Sequence, residues 1–349
     1  MESKRQANIE LFRIILMCTI PVYHLMLYNG VLFRDFQGTV LLGLALSVGG
    51  AIPADYAFMA ISAYFLQKNG TSFQLPRVLR FAALMITMYV IKAGILRGLF
   101  GFHNTEYFID LFLMKGAWWY ATGYLLLLCI YPFLNRFLEK ASKPVVMCCT
   151  IILGMGLFAA CIWNKTNVAA DLVAFVFVYF VMGLLKKKEY QSYMGIPVTK
   201  RNMIGCVIIC YLILLGIGIC TRMPQAIWAD SIGTQILKRI IGRYNLLAAF
   251  MGIAAFLAAR LVKIPPFRWI YRISASTIYV FLLHDPVMGV FWYFGKCWNN
   301  LAEYPYGAFL IWTGVYLVAC FGVALVVEQI YRKGIAPVWE KLIRRICKE

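Results

Sequence analysis

About ten stretches, each of roughly 17–25 predominantly apolar residues, constrain this chain more than anything else in it. They run near 9–28, 48–66, 78–96, 118–138, 145–163, 168–185, 201–219, 244–262, 274–294 and 306–327. A weaker stretch, 39–47, precedes the second and reads as a half-helix. Composition agrees: 62% of the 349 residues are hydrophobic and 14% charged, with a mean hydropathy of +0.75. A soluble domain is roughly 45–50% apolar and about 25% charged, and a core of this length could not hide the excess from water. The expectation is an all-α, polytopic integral membrane protein with about ten transmembrane helices, organised as one transmembrane domain over 1–349. A soluble enzyme, a disordered tail and a disulfide-stapled secreted domain are excluded.

The net charge of +19 invites a nucleic-acid reading, but the basic residues lie between apolar stretches and form no single soluble patch. Orientation accounts for them better. One set of connections holds 23 of the 34 Lys and Arg, the alternate set holds 9, and Arg13 and Lys92 lie inside spans. The richer set belongs on the cytoplasmic side, which puts both termini there and matches an even span count. Lys186-Lys187-Lys188 is mainly such an orientation signal, with a secondary reading as an anionic-lipid contact.

The amino terminus imitates a signal peptide, but Glu10 and Arg13 interrupt its apolar run and no small-x-small cleavage site follows; it is expected as an uncleaved first span. The cysteines lie mostly inside apolar runs and include no CxxC, so neither zinc nor a redox pair is implied. The loops 97–117 and 220–243 are long enough for short re-entrant or interfacial pieces, not for a domain.

Ionisable groups inside a span are costly, so each is a functional candidate. In the first span Arg13 and His24 stand eleven positions apart. At 100° per residue this leaves them roughly 20° apart on one face, with a rise of about 16 Å. Glu10, three residues before Arg13, can pair with it. Pro21 removes a backbone donor just before His24 and is expected to kink the helix. The competing structural reading has Arg13 snorkelling to the interface and His24 bonding a neighbouring helix. His103, among HNTE in a loop, reads as a solvated histidine without metal-ligand spacing. Trp118, Trp119 and Tyr120 read as an interfacial aromatic belt, or as a stacking surface for a sugar. No GxSxG elbow and no Gly-rich phosphate loop is present.

The Arg-x10-His pair in the first helix resembles the acyltransferase 3 family of bacterial membrane acyltransferases. Further segments resemble the family's in order: FMAISAYFL at 58–66, WWYATGYLLLLCIYPFLN at 118–135, FVYFVMGLLKKK at 177–188 and SASTIYVFLLHDPV at 274–287. Two departures stand out. The family's Ser-Gly is here Ser62-Ala63, and its acid or amide six residues before that Ser is here Tyr56, with Asp55 one place earlier. Asp55 would then reach the site through a local distortion after Pro53.

The resemblance implies an O-acyltransferase that moves an acyl group, usually acetyl, from cytoplasmic acyl-CoA to a hydroxyl of an extracytoplasmic glycan or other surface acceptor. It implies acetyl-CoA as donor, no metal, the lipid bilayer as environment and a multi-pass place in a bacterial plasma membrane. It implies catalytic roles for His24, His284 and Asp55, and donor binding by Arg13, Ser62 and Tyr279. Arg13 offers a charge-assisted contact to phosphate. An imidazole, with an ordinary pKa of about 6.5, suits general-base removal of the acceptor's proton. An acyl-His intermediate is the alternative, and His284 could orient His24, bind acceptor or serve the fold. Ser62 also reads as a small residue that packs helices. The rival reading is a transporter or flippase lined by the same polar residues, or a substrate-presenting membrane module without acyl transfer.

Overall fold

The computed structural model describes residues 6–28, 45, 51–112, 118–163, 167–220, 243–284 and 303–347. Helices dominate: α1 (Ala7–Tyr28), α2 (Ala51–Leu66), α3 (Leu75–Phe100), α4 (Thr105–Phe112), α5 (Trp119–Lys140), α6 (Lys143–Ile162), α7 (Val168–Lys187), α8 (Lys200–Cys220), α9 (Leu246–Arg260), α10 (Arg268–His284), α11 (Tyr306–Ile330) and α12 (Ala336–Cys347). Each of the ten expected apolar stretches coincides with one of them. Among the described residues, seven helices are long and apolar enough to cross a membrane, while α2 and α9 are apolar but shorter. The half-helix at 39–47 falls outside the described residues except for Ala45. The expected spans lose 48–50 and 285–294 in the same way, and loop 220–243 keeps only Cys220 and Arg243 at its edges.

Local signals set several ends. Asn167 and Asn245 cap α7 and α9 by accepting the N–H groups of Ala170 and of Leu247 and Ala248. Pro76 and Pro144 stand in the first turns of α3 and α6, where a missing N–H costs nothing. Gly101 closes α3 in the left-handed conformation with φ 62°. Helix α1 continues through Pro21. Loop 97–117 holds the short helix α4, the kind of piece its length allowed. Helix α10 begins six residues before the apolar stretch, because the basic turn Arg268–Arg272 is helical without being apolar.

Helix α9 sits centrally, packed against α2 and α8. The approach to α2 is close: a Cβ at Gly252 would run into the Pro53 carbonyl and the Ala57 amide. Helix α1 packs on α10 and α2, α7 on α5 and α6, and α12 on α3. The outward faces of α6, α8 and α11 carry Ile151, Ile152, Ile209, Ile311 and Val318, each more than half exposed. Such a surface suits hydrocarbon and would aggregate in water. Asn135 on α5 ties the end of α2 to α7. Its amide donates to the carbonyls of Leu66 and Gly70 at 3.1 and 2.6 Å, and its oxygen accepts from the Tyr179 hydroxyl at 2.6 Å.

Candidate active site

Helices α1 and α10 are joined by three polar contacts whose residue numbers rise together, so the two helices run parallel. Ser274 Oγ donates to Glu10. Arg13 Nη2 donates to Thr277 Oγ1 at 3.4 Å. His24 Nδ1 meets His284 Nε2 at 3.0 Å. Ser274, Thr277, Phe281 and His284 follow 3- and 4-residue spacing, which puts them on one helix face. Glu10 also holds Arg13 Nη1 at 3.2 Å, the pairing expected from the sequence. Arg13 is thus fixed by a carboxylate and a hydroxyl instead of hanging at the interface.

Hydrogen bonding assigns the histidine tautomers. His284 Nδ1 faces the carbonyls of Phe281 at 2.8 Å and Val280 at 3.2 Å. A carbonyl only accepts, so Nδ1 carries the proton. His284 Nε2 then accepts from His24 Nδ1–H, and the lone pair of His24 falls on Nε2. In this arrangement His284 sets the tautomer and ring orientation of His24.

A slot of about 450 Å³ opens between α1, α2, α3, α5 and α10. On α1 it is lined by Glu10, Arg13, Met17 and Ile20, ending one turn short of His24. On α2 it follows Asp55, Phe58, Ser62 and Phe65, and Asn69 stands in the turn that follows. The 3–4–3 spacing is a single helical stripe, about 15 Å from end to end. Lys68 and Arg77 stand at the Asn69 end and Asp55 at the other. The slot is therefore long, cationic at one end and mostly apolar in its middle.

The sequence-based candidates distribute unevenly over this site. Asp55 reaches the slot, but by no distortion: α2 is continuous past Pro53, and Asp55 shares the Ser62 face because seven residues make two turns. Tyr56 points away and its hydroxyl donates to the Arg243 carbonyl at 3.2 Å. Ser62 lines the slot 3.5 Å from the Tyr120 hydroxyl. Tyr279 does not line it; its ring lies against Tyr331, 5.9 Å between centroids. Asp285 and Pro286 fall outside the described residues. His103 is exposed.

The aromatic-belt expectation is corrected. Trp118 and Tyr120 are buried: Trp118 Nε1 donates to the Leu282 carbonyl at 3.1 Å, and Tyr120 lines the slot. Trp119 lies under the Arg243 guanidinium at 4.4 Å. Arg243 in turn sits 3.5 Å from Asp171, which accepts from Tyr244 at 2.9 Å. Sequence reading missed Ser274, Thr277, Tyr120, Asp171 and Arg243 as site residues. Lys68, Arg77 and Arg243 were counted only as loop charges. A signal existed for two: Ser274 and Thr277 share the His284 face of an apolar helix, and polar residues there look inward.

A family model described as an acyltransferase domain, acyltransferase 3, matches residues 6–328. Helix α12 lies beyond the matched region. No curated protein and no solved structure matches the chain.

Proposed function

The chain belongs to the acyltransferase 3 family, and from that premise we propose that it moves an acyl group, acetyl in the first instance, from cytoplasmic acyl-CoA to a hydroxyl of an extracytoplasmic glycan or other surface molecule. We place it in a bacterial plasma membrane. The observation that carries this reading is the oriented His24–His284 pair one turn beyond a slot whose other reaches hold Arg13, Lys68 and Arg77.

The division of labour follows from the chemistry. The anionic nucleotide end of the donor goes to the cationic end, where Arg13 supplies a charge-assisted contact. The long, mostly uncharged pantetheine arm follows the α1 and α2 stripes toward His24. His24 Nε2 takes the proton of the acceptor hydroxyl as that oxygen attacks the thioester carbon. The new C–O bond forms, the C–S bond breaks, and the departing thiolate takes the proton back from the imidazolium. Ester and CoA thiol leave, and His24 is neutral again. Donor hydroxyls of Ser62 and Tyr120 line the path of the carbonyl oxygen and suit a supporting role there.

The test is acetyl-CoA turnover by purified protein in lipid, with His24→Ala and Arg13→Ala beside the wild type. Loss of turnover in the first and a raised donor Michaelis constant in the second support the proposal. A folded wild type that neither binds nor cleaves acetyl-CoA defeats it. Solute movement through the same slot is then the measurement to make.

A further inference from the structure

A second cavity lies on the other side of α7 and shares no residue with the slot. It is a groove of about 570 Å³ between α6 and α7, floored by Leu246 and Phe250 of α9. Its α6 wall is Lys143, Met147, Ile151, Gly154 and Phe158, spaced by 4, 4, 3 and 4 residues over about 22 Å. Its α7 wall is Phe177, Val181, Leu184 and Lys188, over about 16 Å. The helices are antiparallel, so both lysines stand at the same end.

Three features narrow what can sit there. The walls are apolar, and the Thr150 hydroxyl within them already donates to the Val146 carbonyl at 2.7 Å. A water-soluble ligand would leave its own polar groups unsatisfied there, so the body of the occupant is an alkyl chain. Among the described residues no acidic side chain lines the groove, and its charged rim is two ammonium groups; the head of the occupant is an anion. The α7 wall matches the hydrocarbon of one leaflet, roughly half of a core of about 30 Å, and the longer α6 wall matches a leaflet with its headgroup layer, roughly half of about 40–45 Å.

The chain also spends backbone strain on closing this end. After Lys188 it turns through Glu189 and Tyr190 at φ 50° and 58°, and Met194 sits at φ 50°, all left-handed without glycine. These turns build the hairpin Ser192–Tyr193 with Ile196–Pro197. The hairpin is held by Tyr193, whose hydroxyl donates to the Phe250 carbonyl at 3.3 Å, and by Arg260 lying 4.0 Å over the Tyr190 ring. Ser192, Tyr193 and Met194 thereby form the groove's wall beside Lys188.

We propose that this groove seats one anionic phospholipid of the surrounding leaflet, an acyl chain lying along α6 and α7 and the phosphate at Lys143 and Lys188. The site is independent of acyl transfer. Native mass spectrometry of the full chain, titrated with phosphatidylglycerol or phosphatidylcholine, tests it. The wild type retains phosphatidylglycerol preferentially, by roughly fivefold for each lysine. Lys143→Gln with Lys188→Gln removes the preference. Ile151→Trp, which fills the groove from its exposed rim, removes retention of both lipids. Equal retention of the two lipids by the wild type overturns the proposal. So does retention unchanged in Ile151→Trp, which would mean surface charge acting without a seated chain. Elution as one monodisperse species shows that each variant has folded.

Discussion

The slot and the groove are cut from helices of the same apolar character, each runs for roughly 15–22 Å along its helices, and α7 separates them. They differ in how polar groups are treated. Along the slot and one turn beyond it, each ionisable group on α1 is tied to a neighbour: Glu10 to Ser274 and Arg13, Arg13 to Thr277, His24 to His284. Along the groove, charged groups stop at the rim, and the Thr150 hydroxyl in the wall is spent on its own helix. A polar side chain in hydrocarbon is expensive unless satisfied, so a set of them arranged in register marks a place where orientation matters. A groove without them selects by shape and by the charge at its mouth. The first arrangement suits chemistry on a positioned substrate; the second suits a bound amphiphile.

The largest effect that separates the two regions comes from His24→Ala beside Ile151→Trp. The histidine variant loses about 10²- to 10⁴-fold in acyl-transfer rate, the usual worth of a positioned general base. The groove variant leaves the rate within about twofold, since an apolar change two helices away removes no transition-state contact. A comparable loss in both erases the contrast and assigns the groove to catalysis. Arg13→Ala comes next. Removing hydrogen bonds to a charged group costs about 1.5–3 kcal/mol, which is roughly 10- to 150-fold in the Michaelis constant for acyl-CoA. A change confined to the turnover number would move Arg13 from donor binding to the reacting centre.

An intermediate effect tests α7 as the partition. Asn135→Leu leaves the Leu66 and Gly70 carbonyls and the Tyr179 hydroxyl without that amide, at a cost of about 1–3 kcal/mol in stability. The expected result is a lower midpoint of thermal unfolding in detergent, with the donor Michaelis constant unchanged. An unchanged midpoint means that α5 and α7 are held by packing alone.

What the sequence made legible follows the same divide. Apolar length reports helices directly, because a span must be apolar over its whole crossing. Each of the ten stretches therefore overlaps a helix, and seven of the described helices are long and apolar enough to cross a membrane. Arg13, His24 and Glu10 were legible because three charged or titratable groups in one apolar helix are too costly to be incidental. The reach of Asp55 was misjudged by comparing its offset with a six-residue pattern; the helical period itself puts residue 55, and not 56, on the Ser62 face. Trp118 and Tyr120 were misread because an aromatic run at a span end looks alike whether it faces lipid or a neighbouring helix. Arg243 and Asp171 meet across 72 positions of chain, and no local pattern encodes such a meeting. The hairpin at 188–198 carried one signal, Gly195 at φ 84° in its two-residue turn, while its other left-handed residues, Glu189, Tyr190 and Met194, do not advertise that conformation.

The smallest effect lies where the chain runs past the family-matched region. Helix α12 lies along α3 beside a smaller cavity of about 340 Å³ that shares Arg77, Phe81, Leu84 and Tyr124 with the slot. Arg80 grips Glu340 through two bonds of 2.7 and 3.1 Å, Trp339 Nε1 donates to Thr87 at 2.9 Å, and Ile343 is buried. The bidentate Arg80 contact holds the Glu340 carboxyl below its ordinary range. A carboxyl depressed in the folded state stabilises docking at neutral pH and loses that contribution as pH falls through its folded value, below about 4.3. Both side chains are substantially exposed, at 52% and 36%, so solvent screens the pair. Glu340→Gln should therefore cost no more than about 1 kcal/mol. Hydrogen exchange over Ala336–Cys347 reads it, rising up to about fivefold in the variant and converging with the wild type in acid or high salt. A much larger rise would mean that this ion pair, and not Trp339 and Ile343, holds the helix.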